Sequence, residues 1–168
     1  MSRTKDIDYK ILFELMKNSK ISDRKLSKKI GVSQPTITRR RARLEKNMID
    51  TYTVIPFWGG IGYEIFAITL VKVKPEVATK NRSKIARKRG LEFLMSQPNV
   101  IMGGGCRGMG MSVFHLSLHK SYSDYDDWML RLRSEMGDLI EDAQSILVNL
   151  RGEELLKPLN LKYLAGIE

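Results

Sequence analysis

The stretch GVSQPTITRRRARLEK, which begins at Gly31, constrains the fold of this chain most. Its first two residues indicate a tight turn, and Ser33 is placed to cap a helix by accepting a backbone N–H from the first helical turn. Pro35 fits that turn, where a missing N–H costs little. Ile37 and Leu44, seven residues apart, share one helical face that can be buried. A short helix with an apolar back and a Thr/Arg front is typical of the second helix of a helix-turn-helix. The alternative is an ordinary amphipathic helix with a solvated charged face.

Two further helices are predicted upstream of this stretch. Residues 6–18 predict the first helix, because apolar residues recur there at i, i+4 and i+8, namely Ile7, Ile11 and Leu15. Ser22 can cap a second helix, and Gly31 ends it in a left-handed conformation. Three short helices around one glycine turn predict a trihelical core.

The end of the third helix marks the edge of a first domain. We place Asn47 just past that helix, because asparagine tolerates a left-handed conformation better than most residues. Residues 48–55 are typical of extended chain, either a wing or a hinge strand. The turn-rich sequence PFWGGIG over residues 56–62 predicts a linker. We therefore expect a winged helix-turn-helix domain over residues 1–55 and a second domain after the linker.

The positive charge of the chain is concentrated in that first domain. The whole chain has a formal net charge of +10 and a pI of about 9.8. Residues 1–55 contain fourteen Lys or Arg and six Asp or Glu, so +8 of the +10 lies there. A basic head on a nearly neutral body favours a polyanionic partner such as double-stranded DNA.

The second domain has the pattern strand, helix, strand, strand, helix, strand. The predicted elements are residues 63–73, 79–97, 100–107, 111–119, a helix capped by Ser121 with Asp124, and 143–150. The second of these helices has a sustained apolar stripe, made of Tyr125, Met129, Leu132 and Met136. This order is that of an α+β, ferredoxin-like βαββαβ sandwich, which we expect over residues 63–150. Residues 151–168 are expected to form a C-terminal extension.

Two apolar rows define the expected sheet. Phe66, Ile68 and Leu70 alternate in the first strand, and Phe114, Leu116 and Leu118 alternate in the third. These rows predict one well-buried sheet face. Because both helices cover one side, we expect the other face to be available to a second copy of the chain.

Several other patterns are interpreted as structural. The glycine run of residues 103–110 lacks the Lys-Ser or Lys-Thr of a phosphate loop and precedes a strand, so it favours close strand packing, a bulge or the approach of a ligand. Cys106 is the single cysteine, which excludes an intramolecular disulfide, and it is interpreted as a packed hydrophobe. His115 and His119 share a strand face without further ligands, so no metal or cofactor is expected.

The chain is also expected to be a soluble, cytoplasmic protein. No apolar run approaches the roughly 18 residues that a membrane span requires, and no signal peptide opens the sequence.

Three motifs follow one another in the first domain. They are Asp8-x-x-Ile11-Leu12-x-x-Leu15, then Ser22-x-x-x-Leu26-Ser27-x-x-Ile30-Gly31-Val32-Ser33, then Thr36-Ile37-Thr38-Arg39-Arg40. In order and spacing they resemble the opening domain of the Lrp/AsnC (leucine-responsive, or feast/famine) transcription factors. The predicted βαββαβ domain is similar to the effector-binding and oligomerising domain of that family.

The resemblance implies a transcriptional regulator that reads pseudo-palindromic operators as a dimer or higher oligomer, up to an octamer. The DNA-binding residues expected are Ser33, Gln34, Thr36, Thr38, Arg39, Arg40 and Arg43 on the third helix, with Lys28 and Lys29 on the second. Gln34, Thr36 and Arg39 should meet base edges, because recognition helices usually enter the groove by their N-terminal half. Arg40, Arg43, Lys28 and Lys29 should mainly contact phosphates.

The resemblance also implies a small, amino-acid-like effector. The expected site is the turn of Arg107, Gly108, Met109, Gly110 and Met111. The family usually has a Gly-x-x-Asp-like turn here. Gly108 fits that pattern, but Met111 stands where the acid would be. We therefore expect ordinary amino acids to bind weakly or not at all. A second departure is Arg41, at a position that is usually apolar in the family.

An enzyme of related architecture is the alternative function, because sirohaem decarboxylases resemble the same two-part family. They typically have a His-Asn-Tyr-like motif entering the second strand and a Trp-Phe-Thr-like motif in the third. This chain has Met102-Gly103-Gly104 and Val113-Phe114-His115 there. The sequence therefore favours a regulator.

Overall fold

Two units make up the structure, a computed structural model that describes residues 3–77, 80–152 and 155–166. The first unit comprises Met1–Ile55 together with Pro158–Glu168, and the second comprises Pro56–Lys157. The first unit thus combines two separate stretches of the chain. No described helix is long and apolar enough to cross a membrane.

Three helices form the body of the first unit, and we call this unit the head. They are α1 (Arg3–Lys17), α2 (Asp23–Ile30) and α3 (Gln34–Asn47). Their shared core consists of side chains that are at most 4% exposed: Ile11, Leu15, Leu26, Ile37 and Leu44. Burying each of these stabilises the fold by about 1.5–3 kcal/mol, so the predicted apolar stripes are what hold the three helices together.

The turn between α2 and α3 has the predicted chemistry. The Ser22 hydroxyl accepts the Lys25 backbone N–H at 3.3 Å and caps α2. Gly31 ends α2 with a φ of +77°, which a side chain would strain, and it donates its N–H to the Ser27 carbonyl. The Ser27 hydroxyl donates to the Val32 carbonyl at 2.6 Å. These bonds set the direction in which α3 begins.

Two predictions about the end of α3 are wrong. Asn47 is the last residue of the helix, and its side-chain amide donates to the Arg43 carbonyl at 2.8 Å. Residues 48–55 contain no strand, so the expected wing is absent from this described stretch. A wing strand needs a neighbour for its backbone N–H and C=O groups, whereas residues 50–55 are all exposed.

The second unit is the expected ferredoxin-like sandwich, and we call it the sheet unit. Its elements are β1 (Ile65–Val73), α4 (Lys80–Ser96), β2 (Val100–Gly108), β3 (Met111–His119), α5 (Tyr122–Met136) and β4 (Ile140–Asn149), with short 3-10 turns at Trp58–Ile61 and Pro75–Val77. The strand order is β2-β3-β1-β4 and every neighbouring pair is antiparallel. The predicted α4 start at Thr79 lies outside the described residues.

The apolar stripe of α5 forms the core between the helices and the sheet. Trp128 is fully buried and packs with Ala67 of β1 and Phe93 of α4. The four predicted stripe residues, Tyr125, Met129, Leu132 and Met136, are all buried in the same cluster. Ser121 caps the helix as predicted, accepting the Asp124 backbone N–H at 3.1 Å.

The sheet rows lie on the opposite face from the one expected. The helix-covered face carries Thr69, His115, Ser117 and His119, all at most 1% exposed. Thr69, Ser117 and His119 make side-chain hydrogen bonds in this layer, for example the 2.8 Å contact between Ser117 Oγ and His119 Nε2. Among the described residues, His115 Nε2 is buried without a hydrogen-bond partner. The predicted apolar rows are only half-buried, apart from Leu118, and they line the other face.

We call that second surface the open face. One apolar row crosses all four strands, because Met102 pairs with Leu116, Leu116 with Ile68, and Ile68 with Ile146. Ile146 is 59% exposed and Met102 is 57% exposed. The sheet unit therefore has a continuous apolar surface that its own helices do not cover.

Candidate nucleic-acid interface

The outer side of α3 is built on its buried side. Ile37 and Leu44 are at most 1% exposed, so the helix is held from behind. Gln34, Thr38 and Arg39 point away from that core and are exposed. Within the described residues Arg39 has no ionic partner, so its five N–H donors are available to a ligand.

Asp8 of α1 holds two of the predicted phosphate-binding residues. The Asp8 side chain is only 12% exposed. Its carboxylate accepts hydrogen bonds from Arg40, at 2.9 Å, and from Arg43. Arg40 is largely buried, whereas the Arg43 side chain remains 52% exposed. Arg40 therefore fastens α3 to α1. Arg43 can still present part of its guanidinium to solvent.

Arg41 makes a second connection that the sequence did not predict. Its guanidinium donates to the Asp23 carboxylate and the Ile21 carbonyl, both at 3.1 Å, and to Glu45 within α3. Burial opposes its charge, but hydrogen bonds with Tyr52 and Asp23 raise the pKa of Arg41 above its ordinary value. Arg41 thus stays charged and ties α3 to the start of α2. The sequence feature that could have predicted these ion pairs is the presence of the acidic residues Asp8 and Asp23 in a strongly basic head.

The hydroxyl groups at the start of α3 contact one another. Ser33 occupies the N-cap position, but its hydroxyl contacts the Thr36 hydroxyl at 2.8 Å and makes no bond to the helix backbone, contrary to prediction. Thr38 donates to the Asp23 carboxylate at 2.7 Å. These contacts fix the rotamers of Ser33, Thr36 and Thr38 beside the exposed Gln34 and Arg39.

The two predicted lysines of α2 differ in their surroundings. Lys29 pairs with Glu14 of α1 at 2.5 Å. Lys28 is exposed, and within the part of the chain that the structure describes it has no ion-pair partner. Lys28 and Arg39 are therefore the predicted DNA-binding residues that form no ion pair with an acidic side chain among the described residues.

The predicted effector turn lies in the sheet unit, between β2 and β3. Met109 and Gly110 have φ angles of +54° and +74°, as in a type I′ hairpin turn, and Gly108 has a φ of +136°. Met109 is 84% exposed, whereas Met111 is buried. The turn thus presents backbone groups and a thioether side chain, and no carboxylate at Met111.

The two histidines lie in the core of the sheet unit. His115 packs edge-on against Trp128 with 4.7 Å between ring centroids. Burial and the neighbouring His119 lower the pKa of His115 to about 4, and burial also lowers the pKa of His119. Among the described residues, no three His, Cys, Asp or Glu side chains converge to hold a metal ion.

The glycine run has a packing role. A Cβ at Gly103 would lie 3.0 Å from the Leu94 side chain, so the glycine lets α4 approach β2. The Phe114 ring lies over Gly104 on the open face, 3.4 Å from the position of a Cβ. This is the close packing that the sequence favoured over a phosphate loop.

Comparison with known proteins agrees with this geometry. The family model of the AsnC-type helix-turn-helix domain matches residues 6–45. The HTH-type transcriptional regulator FL11 of Pyrococcus furiosus is 36% identical over 83 residues, which are 49% of this chain and 55% of that protein. An HTH-type transcriptional regulator of Pyrococcus abyssi is 36% identical over 70 residues, covering 41% of this chain and 48% of that protein. The chain thus spans about half the length of these curated relatives.

Solved structures share the fold over most of the chain. The Neisseria meningitidis transcriptional regulator NMB0573, solved with L-Met, has a TM-score of 0.75 at 20% identity and covers 88% of this chain and 89% of its own. Escherichia coli AsnC has a TM-score of 0.70 at 21% identity, and the match covers 85% of this chain and 90% of AsnC. Bacillus subtilis LrpC has a TM-score of 0.67 at 23% identity, with 84% and 91% covered. The chain thus contains an AsnC-type helix-turn-helix domain over residues 6–45, and it shares its fold with solved transcriptional regulators that include AsnC and LrpC.

Proposed function

We propose that the protein is a sequence-specific, DNA-binding transcriptional regulator of the Lrp/AsnC type, acting in the cytoplasm on pseudo-palindromic operators. The observation that carries the proposal is the outer side of α3, where Arg39 is exposed and unpaired within the described head. The helix behind it is fixed by Ile37 and Leu44. The names of the relatives favour this function over a sirohaem decarboxylase-like enzyme.

The contacts within the head refine the expected roles. Gln34, Thr36 and Arg39 are assigned to base edges, with Ser33 and Thr38 beside them, because they lie at the N-terminal half of α3. Lys28 and the exposed part of Arg43 are assigned to phosphates. Arg40 and Lys29, which we expected at phosphates, are ion-paired to Asp8 and Glu14, so we assign them to positioning the helices.

Replacing Arg39 and Lys28 separately tests this assignment. Arg39→Ala should weaken binding to a selected operator by roughly 1–3 kcal/mol and relax the preference at one base position, as expected if it reads a guanine. Lys28→Ala should weaken binding to all DNA sequences alike. It should also reduce the slope of log K against log salt concentration by about one, because one phosphate contact is lost. Titrations at several salt concentrations, on the selected site and a scrambled one, measure both effects.

Lys10→Ala is the control for these titrations, because Lys10 lies on α1 in an exposed pair with Asp6. It should bind both DNAs like the wild type. Salt-independent binding, or an Arg39→Ala variant that keeps full affinity and preference, would contradict the role of α3.

We also propose that two copies associate through the open face. Its apolar residues form one continuous patch, whereas exposed hydrophobic residues on an ordinary surface are scattered. The sheet of a second copy packed on this patch would remove it from water. The dimer would place two heads on the two halves of a pseudo-palindrome, about one helical turn or a multiple apart. Further assembly up to an octamer is an expectation from the family.

Light scattering tests the open face with two matched substitutions. Wild-type protein should have at least twice the 19.3 kDa chain mass at micromolar concentration. Ile146→Glu should weaken association at least tenfold, about 1.4 kcal/mol, because it places a charge in the apolar contact. Leu130→Glu, on the outer side of α5, should not, although both residues are 59% exposed. A monomeric wild type, or equal effects of the two substitutions, would refute the proposal.

A small, amino-acid-like effector is proposed at Arg107–Met111, with weak or no binding of common amino acids. The glycines leave main-chain N–H groups accessible, but Met111 is buried and cannot accept hydrogen bonds from an α-amino group as a carboxylate would. Calorimetry with a panel of common amino acids should show no micromolar binding. Micromolar affinity that Gly108→Val abolishes would show that the turn binds ordinary amino acids after all.

A further inference from the structure

Helix α1 is apolar on two sides, and the head uses only one of them. Its first apolar side, with Ile11 and Leu15, faces α2 and α3. The second apolar side consists of Tyr9, Leu12, Phe13 and Met16, none of which belongs to the head core. On that side the Tyr9 and Phe13 rings stack with 6.2 Å between centroids, and each ring remains nearly 40% exposed. A second apolar stripe on a short helix indicates a second packing partner.

A segment from the C-terminal part of the chain contacts α1. The 3-10 turn Leu161–Ala165, which we call the C-terminal turn, contacts α1. Ala165 is 8% exposed, whereas its neighbour Leu164 is 73% exposed. The turn has its own cap, because the Asn160 side chain accepts the Lys162 backbone N–H at 2.9 Å. A turn that is capped and has one buried residue is packed against the head and does not extend freely into solvent.

We propose that the C-terminal turn is a second tether of the DNA-binding head, seated on the second apolar side of α1. The chain leaves the head after Ile55 and returns to it at Pro158, so two chain connections join the head to the sheet unit. A body attached at one point can rotate about it, whereas attachment at two points removes most of that freedom. The tether therefore restricts the orientations that each head can adopt.

This restriction matters for DNA with two half-sites, and it rests on the proposed function. Two heads that are already restricted lose less orientational freedom when both bind, so the full operator binds more tightly. The same restriction makes the spacing of the half-sites matter. A single half-site engages one head and gains nothing from the second tether.

Two substitutions at neighbouring positions test whether the turn is seated on α1. Ala165→Asp puts a charge into the buried contact, and Leu164→Asp puts the same charge into solvent. In full-length protein, Ala165→Asp should speed amide hydrogen exchange along α1, while Leu164→Asp should leave it unchanged. If Ala165→Asp leaves amide hydrogen exchange along α1 unchanged, the C-terminal turn is not packed on α1.

DNA binding then tests the tether. The probes are the operator selected with wild-type protein, the same operator with its half-sites moved apart by half a helical turn, and a single half-site. Ala165→Asp should weaken the full operator by about tenfold and lose most of the discrimination against the altered spacing. Its affinity for the single half-site should stay within about twofold of wild type. Equal weakening on all three DNAs would overturn the tether.

A third variant distinguishes the packing of the turn on α1 from the restriction of head orientation. It does not disturb the buried contact. Six Gly and Ser residues inserted between Lys157 and Pro158 lengthen the connection while the turn remains intact. This variant should keep wild-type exchange along α1 and still lose spacing discrimination. Retained discrimination would overturn the tether. If wild-type protein shows no sequence preference at all, the proposed function fails, and the exchange of α1 still decides whether the turn is seated.

Discussion

Trp128→Ala should destabilise the sheet unit by about 3–5 kcal/mol, the largest effect we expect from a single substitution. Trp128 is fully buried, and its ring contacts His115 at 4.7 Å and His119 at 5.6 Å between centroids. Removing the indole leaves a cavity at the centre of the helix-covered face. It also removes the ring against which both histidines pack. The loss is comparable to much of the stability of a small domain.

Chemical denaturation measures this effect. Because Trp128→Ala removes one of the two tryptophans, the unfolding of the sheet unit is best followed through Trp58, which lies in the same unit. Leu130→Ala is the control, because Leu130 is on the same helix and 59% exposed. It should cost less than about 1 kcal/mol. If the two variants unfold at the same denaturant concentration, Trp128 is not central to the core.

Asp8→Ala should cost the head about 2–3 kcal/mol and reduce its discrimination between DNA sequences. Removing a largely buried carboxylate leaves Arg40 without this acidic partner, and breaking such a pair typically costs 3–5 kcal/mol. We expect less, because Arg43 is half-exposed and water can solvate it. Without Asp8, α3 loses its charged connection to α1, while Arg43 becomes available to any phosphate.

The DNA consequence has a definite direction. Affinity for a selected operator should fall, while affinity for a scrambled sequence should stay constant or rise, so their ratio should narrow by about tenfold. Hydrogen exchange of α1 and α3 measures the stability of the head separately, because both tryptophans report on the sheet unit.

Asp6→Ala is the matched control for Asp8→Ala. Asp6 lies on the same helix and pairs with Lys10, with both side chains 56% exposed. Its loss should cost less than about 0.5 kcal/mol. An Asp8→Ala variant that behaves like Asp6→Ala in both assays would show that the pair neither stabilises the head nor orients α3.

The helices of the head could be derived from the sequence because their signals are local. The Ser22 cap, the left-handed Gly31 and the buried pair Ile37 and Leu44 are all where the residue pattern predicts them. Caps and glycine turns act within a few residues, and the 3.6-residue period of a helix identifies its apolar side without knowledge of the partner. The stripe of α5 was predictable for the same reason.

The faces of the sheet could not be derived in this way. Alternation shows that Phe66, Ile68 and Leu70 share a face, but not whether helices or a second copy cover it. The helix-covered face is the more polar one in β3, because His115 and His119 pack against aromatic rings of α5. Only the placement of α5 decides which alternating set is inside.

The roles of the arginines of α3 also depended on tertiary structure. Arg39, Arg40, Arg41 and Arg43 are equivalent basic residues in the sequence, and their spacing places them around one helix. Whether each meets DNA or an acid of the head depends on where Asp8 and Asp23 lie after folding. These two carboxylates are 18 to 35 residues away along the chain from the arginines that they pair with, beyond the range of any local pattern.

The sequence by itself thus determined the helix-turn-helix, the order of strands and helices and the basic character of the head, because each follows from local spacing and composition. Tertiary structure decided which arginine of the described α3 has no acidic partner, which sheet face is open, and that the chain returns at Pro158 to pack on α1. Those outcomes depend on contacts between residues far apart in the chain, which form only when the elements pack.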